Sequence, residues 1–270
     1  MINLKYIIYI ILGLIQGITE PLPVSSSGHL SLFMNIFNIG KIDTSFLIIS
    51  NFASFLAILF IFRKDIIKLI KDFLFYILKK DNKIYKPSFK YVMCIIIATI
   101  PISISGLLFK SKLENLTNPK ILAISFMLTA VFLFVVKNIK GVKKDNDITY
   151  KDALFIGLIE MFTIIPGLSR SGTVLVACLL RNLKKETALK FTFMLYFPVS
   201  IASFILEVFL LFNNGISRFL IFPYLIGFLV TTITTYYSYL WLSKIVKDGK
   251  LIKFSIYTLL LAIFIFIYFR

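Results

Sequence analysis

Apolar runs long enough to cross a bilayer recur along the chain, at about 46–62, 91–109, 120–137, 190–212, 219–242 and 253–269. Each predicts a membrane-spanning helix of ~20 residues. Four other apolar stretches are too short to span. Residues 4–20 form a helical stretch ended by Pro21 and Pro23, and 25–38 open with Ser25-Ser26-Ser27-Gly28. Residues 152–165 and 169–180 repeat this plan around Pro166-Gly167. Proline interrupts the helical hydrogen-bond ladder, and backbone freed at membrane depth needs a protein-lined or wet cavity. The pattern therefore predicts two re-entrant helical hairpins beside the six spans.

The hairpins are related by sequence. At a constant offset of 144, Gly13, Leu14 and Ile15 fall on Gly157, Leu158 and Ile159, and Gln16 falls on Glu160. Ser25, Ser27 and Gly28 fall on Ser169, Ser171 and Gly172, again without a gap. Each copy holds one hairpin and three spans. An odd span number turns the second copy upside down relative to the first, which is the inverted-repeat plan. We therefore expect an all-α membrane protein, a single integral domain over 1–270, with repeats at about 1–140 and 145–270. The mean hydropathy of +0.91 and 59% hydrophobic content exclude an ordinary soluble domain.

Charge refines this picture. The chain has 30 Lys+Arg against 13 Asp+Glu. In a soluble protein this excess would suggest nucleic acid, but here the basic residues lie between spans and read as a topology signal, with no nucleic-acid partner. Segment 63–90 carries nine, including Arg63, Lys64, Lys68 and Lys90, and 137–151, 181–190 and 243–253 are also rich. These loops should be cytoplasmic, with both termini outside. Segment 63–90 is expected to form an amphipathic helix lying on the cytoplasmic face. Cys94 and Cys178 sit in separate apolar segments and read as inert packing groups.

The chemistry concentrates at the hairpin tips. Gln16 and Glu20 are four apart and share one helix face. Ser25, Ser26 and Ser27 stand at a half-helix N-terminus, where free amides and the positive dipole end favour an anion such as phosphate. His29, the sole histidine, lies one turn on. The second tip supplies Ser169, Arg170 and Ser171, and a guanidinium matches phosphate oxygens. Arg170 falls where Ser26 falls in the first copy. A hydroxyl, an imidazole, a carboxylate and an arginine between two anion-binding helix ends suit phosphoryl transfer. Simpler roles compete: Glu160 could pair with Arg170, and Glu207 reads as a structural or interfacial group.

Gln16-x-x-x-Glu20, Pro23-Val24-Ser25-Ser26-Ser27-Gly28-His29 and Pro166-Gly167-x-Ser169-Arg170-Ser171-Gly172 resemble the two signatures of the undecaprenyl-diphosphate phosphatase family linked to bacitracin resistance. The similarity extends through Ile100-Pro101, Asn118-Pro119 and Phe191-Thr192-Phe193. It implies an integral enzyme of the cell membrane, open to the outer face. Such an enzyme removes the terminal phosphate of undecaprenyl diphosphate and so recycles the lipid carrier of cell-wall polymers. The resemblance further implies catalytic Glu20, Ser26, His29 and Arg170, with Ser26 as nucleophile, Ser25 as the competing choice for that role, and His29 as acid/base. Gln16, Ser25, Ser27, Ser169, Ser171, Gly172 and Thr173 would bind substrate. It implies a divalent cation, Mg2+ or Ca2+, held by Glu20, and a polyprenyl diphosphate lipid in the bilayer as partner; a homodimer is left open. Three positions depart from the family pattern: Pro21, Val174 with Thr173, and Asn51-Phe52-Ala53 in place of Gln-Leu-Gly. A lipid-phosphate transporter or flippase is the rival reading, because inverted repeats with broken helices also build transporters.

Overall fold

The computed structural model describes residues 2–37, 39, 44–78, 83–113, 118–214 and 218–269. Among these it is all-helical apart from one isolated bridge between Lys143 and Leu183. The first five helices are α1 (Ile2–Thr19), α2 (Ser26–Phe37), α3 (Thr44–Leu78), α4 (Lys86–Leu113) and α5 (Pro119–Val135). The next five are α6 (Tyr150–Glu160), α7 (Arg170–Leu180), α8 (Lys185–Asn214), α9 (Ile221–Lys247) and α10 (Ile252–Tyr268). Glu207 lies outside the residues whose side chains are described. Four helices are long and apolar enough to cross a membrane, within α3, α4, α8 and α9. Large apolar side chains such as Leu107, Phe222, Ile233, Leu260 and Ile267 stand exposed, as lipid contact requires. The chain is a multi-pass membrane protein.

Close helix approach is set by small residues, as is usual where lipid offers no hydrophobic drive for helix pairing. Helix α1 lies on α9 through Gly13, Gly17 and Gly227; a methyl added at Gly13 would sit 2.7 Å from the Gly227 carbonyl oxygen. Thr231 Oγ1 donates across this seam to the Gly13 carbonyl and, within α9, to the Gly227 carbonyl. Helix α6 lies on α4 in a comparable way, with Gly157 against Ala98. A methyl at Gly157 would stand 2.2 Å from the Ala98 carbonyl oxygen. Backbone is in the way there, so Gly157→Ala is expected to force α6 off α4 and cost about 1–3 kcal/mol. A lowered unfolding temperature in detergent would register this.

The loop end of α6 is fixed by charge. Asp152 is fully buried, closes a capping box with Thr149, and meets Lys143 at 2.8 Å and Arg181 at 2.7 Å. Burial alone would raise its pKa, but the Lys143, Thr149 and Arg181 hydrogen bonds outweigh burial and bring it down to about 2. The stabilisation is complete above the usual carboxylate range and is lost only as pH falls through about 2.

Segment 63–90 differs from the surface helix expected. Helix α3 runs unbroken to Leu78, because no glycine or proline interrupts 63–78, and α4 returns from Lys86. Phe89 stacks on Phe73 and Tyr76, and Ser88 donates to Asp72 at 2.7 Å. The two helices thus extend together as a stalk.

At the centre sits α7. Every residue from Gly172 to Leu179 is buried, with α7 packed on α6, α8 and α5, in one core cluster that also takes in Phe62 of α3 and Cys94 and Ala98 of α4. A helix apolar on all sides is a core element, and its N-terminus is held correspondingly rigid. Both cysteines are free and buried, as packing groups should be.

Candidate active site

The first tip forms where the two prolines stop α1. Glu20 N–H still donates to the Gln16 carbonyl, and Val24 N–H turns back onto Leu22. Ser25 then adopts φ +68°, a left-handed conformation unusual for a non-glycine residue. Its hydroxyl accepts from Gly28 N–H at 3.3 Å and caps α2. The second tip turns at Gly167, with φ +85°. Ser169 caps α7 by accepting from Gly172 N–H at 3.1 Å. Ser25 and Ser169, which correspond at the offset of 144, therefore carry out the same capping.

The tips meet. Ser171 Oγ donates to the Leu22 carbonyl at 2.8 Å and clasps one tip to the other. Between them lies a cavity of ≈ 120 Å³ lined by Glu20, Ser25, Ser26 and Ser27 from the first tip and Ser169, Arg170 and Ser171 from the second. Thr163, Thr192 and Tyr196 complete its polar wall.

Glu20 is the hub of the first tip. Its Oε2 accepts from the Ser26 hydroxyl at 2.5 Å and from Gln16 Nε2 at 3.0 Å. Gln16 Nε2 also donates to Asn51 Oδ1 at 2.9 Å, which ties the carboxylate to α3. Gln16 is buried outside the cavity and acts through Glu20. A carboxylate receiving a serine hydroxyl proton is the arrangement of a nucleophile with its base.

Arg170 faces this pair across the cavity. Its Nε lies 3.2 Å from Glu160 Oε1, one Nη reaches the Leu195 carbonyl at 3.5 Å, and the guanidinium lies over the Tyr196 ring at 4.9 Å. Glu160 is fully buried, and its second carboxylate oxygen has no partner. The pairing of Glu160 with Arg170 considered from the sequence is thus present. It holds the guanidinium by one edge and leaves other N–H donors for an anion.

His29 is placed differently from the rest. It does not line the cavity. Its Nδ1 is 2.7 Å from the Ser25 carbonyl oxygen, and its Nε2 is 2.7 Å from the Tyr257 hydroxyl, with the two rings stacked. A carbonyl only accepts, so Nδ1 carries the proton and Nε2 of the neutral ring accepts from Tyr257. In this arrangement His29 secures the left-handed turn at Ser25. Gly172 and Thr173 stand behind the cavity wall: a methyl on Gly172 would press on Pro23 at 3.1 Å, and Thr173 is buried with its hydroxyl unpartnered.

Among the described residues no three His, Cys, Asp or Glu side chains cluster, and Glu20 is the one carboxylate on the cavity wall. One carboxylate with serine hydroxyls fits a hard cation that takes its remaining oxygens from a bound diphosphate, the way Mg2+ is commonly held.

Asn51, Tyr196 and Tyr257 were not anticipated as contributors. Asn51 carried a signal, an amide inside an apolar span. The two tyrosines are lost among 29 Phe and 13 Tyr.

The bacitracin resistance protein BacA family matches residues 9–264. Undecaprenyl-diphosphatase 1 of Bacillus cereus is 40% identical over 96% of either chain. Undecaprenyl-diphosphatase of Oceanobacillus iheyensis is 38% identical over 96% of this chain and 95% of its own. Undecaprenyl-diphosphatase 1 of Halalkalibacterium halodurans is 40% identical over 92% and 91%. With the family spanning both tips and every helix between them, the chain belongs to the bacitracin resistance protein BacA family.

Proposed function

We propose that the protein hydrolyses undecaprenyl diphosphate to undecaprenyl phosphate and inorganic phosphate, at the cell membrane and on a site open to the outside. The observation that carries this is the Ser26 hydroxyl donating to Glu20 within the cavity that Arg170 also lines. Relatives named for the same activity support it.

In this reading the polyprenyl tail stays in the bilayer while the diphosphate enters between the tips. Glu20 takes the Ser26 proton as Ser26 Oγ attacks the terminal phosphorus, and the bond to the bridging oxygen breaks. Undecaprenyl phosphate leaves with that oxygen. The departing undecaprenyl phosphate takes the proton from Glu20, whose regenerated carboxylate then deprotonates a water that attacks the phosphoserine. As the serine–phosphorus bond breaks, the serine oxygen takes that proton back from Glu20 and inorganic phosphate departs. Arg170 and the α2 and α7 N-termini stabilise charge on the non-bridging oxygens. Mg2+ or Ca2+, held by Glu20 and the substrate, would supply further charge neutralisation. Gln16 and Asn51 orient Glu20, Glu160 orients Arg170, and His29 holds Ser25. Ser27 and Ser169 line the phosphate cradle, and Ser171 joins the tips across it.

The architecture read with this function is an inverted repeat of six spans and two re-entrant hairpins. Helices α5 and α10, 17 residues each, complete the six. The exchange of partners, α1 with α9 and α6 with α4, is what two intertwined, inverted copies would give. The basic loops then face the cytoplasm.

Purified protein in vesicles separates this from lipid transport. Phosphate released from undecaprenyl diphosphate is the expected result; movement of the lipid between leaflets without release would assign the site to a transporter. The hydroxyl–carboxylate pair has no task in a carrier.

A further inference from the structure

A second polar space adjoins the catalytic cavity. It measures ≈ 100 Å³ and shares Glu20, Arg170 and Tyr196 with that cavity, adding Asn51, Ser200 and Ser203. Its far wall is Phe52 and Phe204, whose rings stack with centroids 4.1 Å apart. The same two phenylalanines line an apolar groove of ≈ 360 Å³ between α3, α8 and α9, with Ile48, Val208, Leu225 and Phe228. From Glu20 and Arg170 the surface thus passes through one polar chamber and over one aromatic step into an apolar trough.

Another apolar groove, ≈ 330 Å³ between α3, α4 and α8, includes Leu59, Ile70, Val92 and Ile201. It shares no lining residue with the catalytic cavity or the polar chamber. A diphosphate between the tips must lead its hydrocarbon away by a continuous path, and the first groove has that continuity.

We infer that the α3–α8–α9 groove receives the isoprene units nearest the diphosphate, and that Phe52 and Phe204 form the threshold that binds the tail. The inference rests on the diphosphatase reading above. Branched alkenes pack well on aromatic faces, and apolar burial in the groove is favourable wherever it replaces looser contact.

The test uses the full protein in detergent. Phe52→Ala, Phe204→Ala and Leu225→Trp, which fills the groove from an exposed position on α9, are assayed for phosphate release from undecaprenyl diphosphate, with Ile70→Ala as a control in the other groove. The expected result is a KM raised about tenfold by each groove variant with kcat unchanged, the pattern of lost uniform binding. Inhibition by inorganic phosphate, which reads the headgroup site alone, stays constant, and Ile70→Ala behaves as the unaltered protein. An unchanged KM overturns the inference, and so does a KM change matched by weaker phosphate inhibition or by Ile70→Ala. Should the unaltered protein release no phosphate, the parent reading fails; release with groove-insensitive KM sinks only the groove.

Discussion

Ser26→Ala is expected to lower kcat by a factor on the order of 10⁴, and Glu20→Gln by on the order of 10³, the range of a lost nucleophile and a lost base. The double variant should be no worse than Ser26→Ala, because groups that act as one unit lose their effect together. His29→Gln should cost only about tenfold, since its ring touches the Ser25 carbonyl and Tyr257 rather than the cavity. Phosphate release from undecaprenyl diphosphate measures all four. If Ser26→Ala kept near-normal turnover, water would be the direct attacker and Ser26 a phosphate ligand. If His29→Gln were as damaging as Glu20→Gln, the imidazole would enter the reaction in a conformation that brings it to the cavity.

Arg170→Ala should damage the protein twice over. It removes the cation of the phosphate cradle, which should lower kcat/KM by about a thousandfold. It also strips Glu160 of its counter-charge at a fully buried position, which should cost about 3–5 kcal/mol of stability. The two losses separate in Arg170→Ala/Glu160→Gln: the unfolding temperature should recover while the activity does not. Recovery of activity in the double variant would make Arg170 a structural ion-pair partner and nothing more. Glu160→Gln alone should keep the fold and weaken phosphate binding, because the guanidinium loses the contact that aims it.

The tips were readable because their signals are local and doubled. Proline stops α1 at Thr19, serine caps α2 and α7, and the offset of 144 lets each copy interpret the other. The extent of α3 was less legible. Basic residues from Arg63 onward interrupt the apolar run but do not end a helix, and only pairing with α4 turns 63–78 into a stalk rather than a surface helix. The partners of the site residues needed three dimensions. Asn51 and Tyr257 reach Gln16 and His29 from helices 35 and 228 positions away, a distance no periodicity spans. The same holds for His29: its place beside the serines suggested a base, yet its rotamer turns it toward α10.

The clasped tips also bear on how such a gene can change. Positions 26 and 170 correspond in the two halves, yet one holds serine and the other arginine; likewise 16 and 160 hold glutamine and glutamate. Gene conversion that copied either half over the other would leave positions 26 and 170 with two hydroxyls and no cation, or with two cations and no hydroxyl. Having diverged this far, the halves can no longer repair one another, and each now depends on the other's difference.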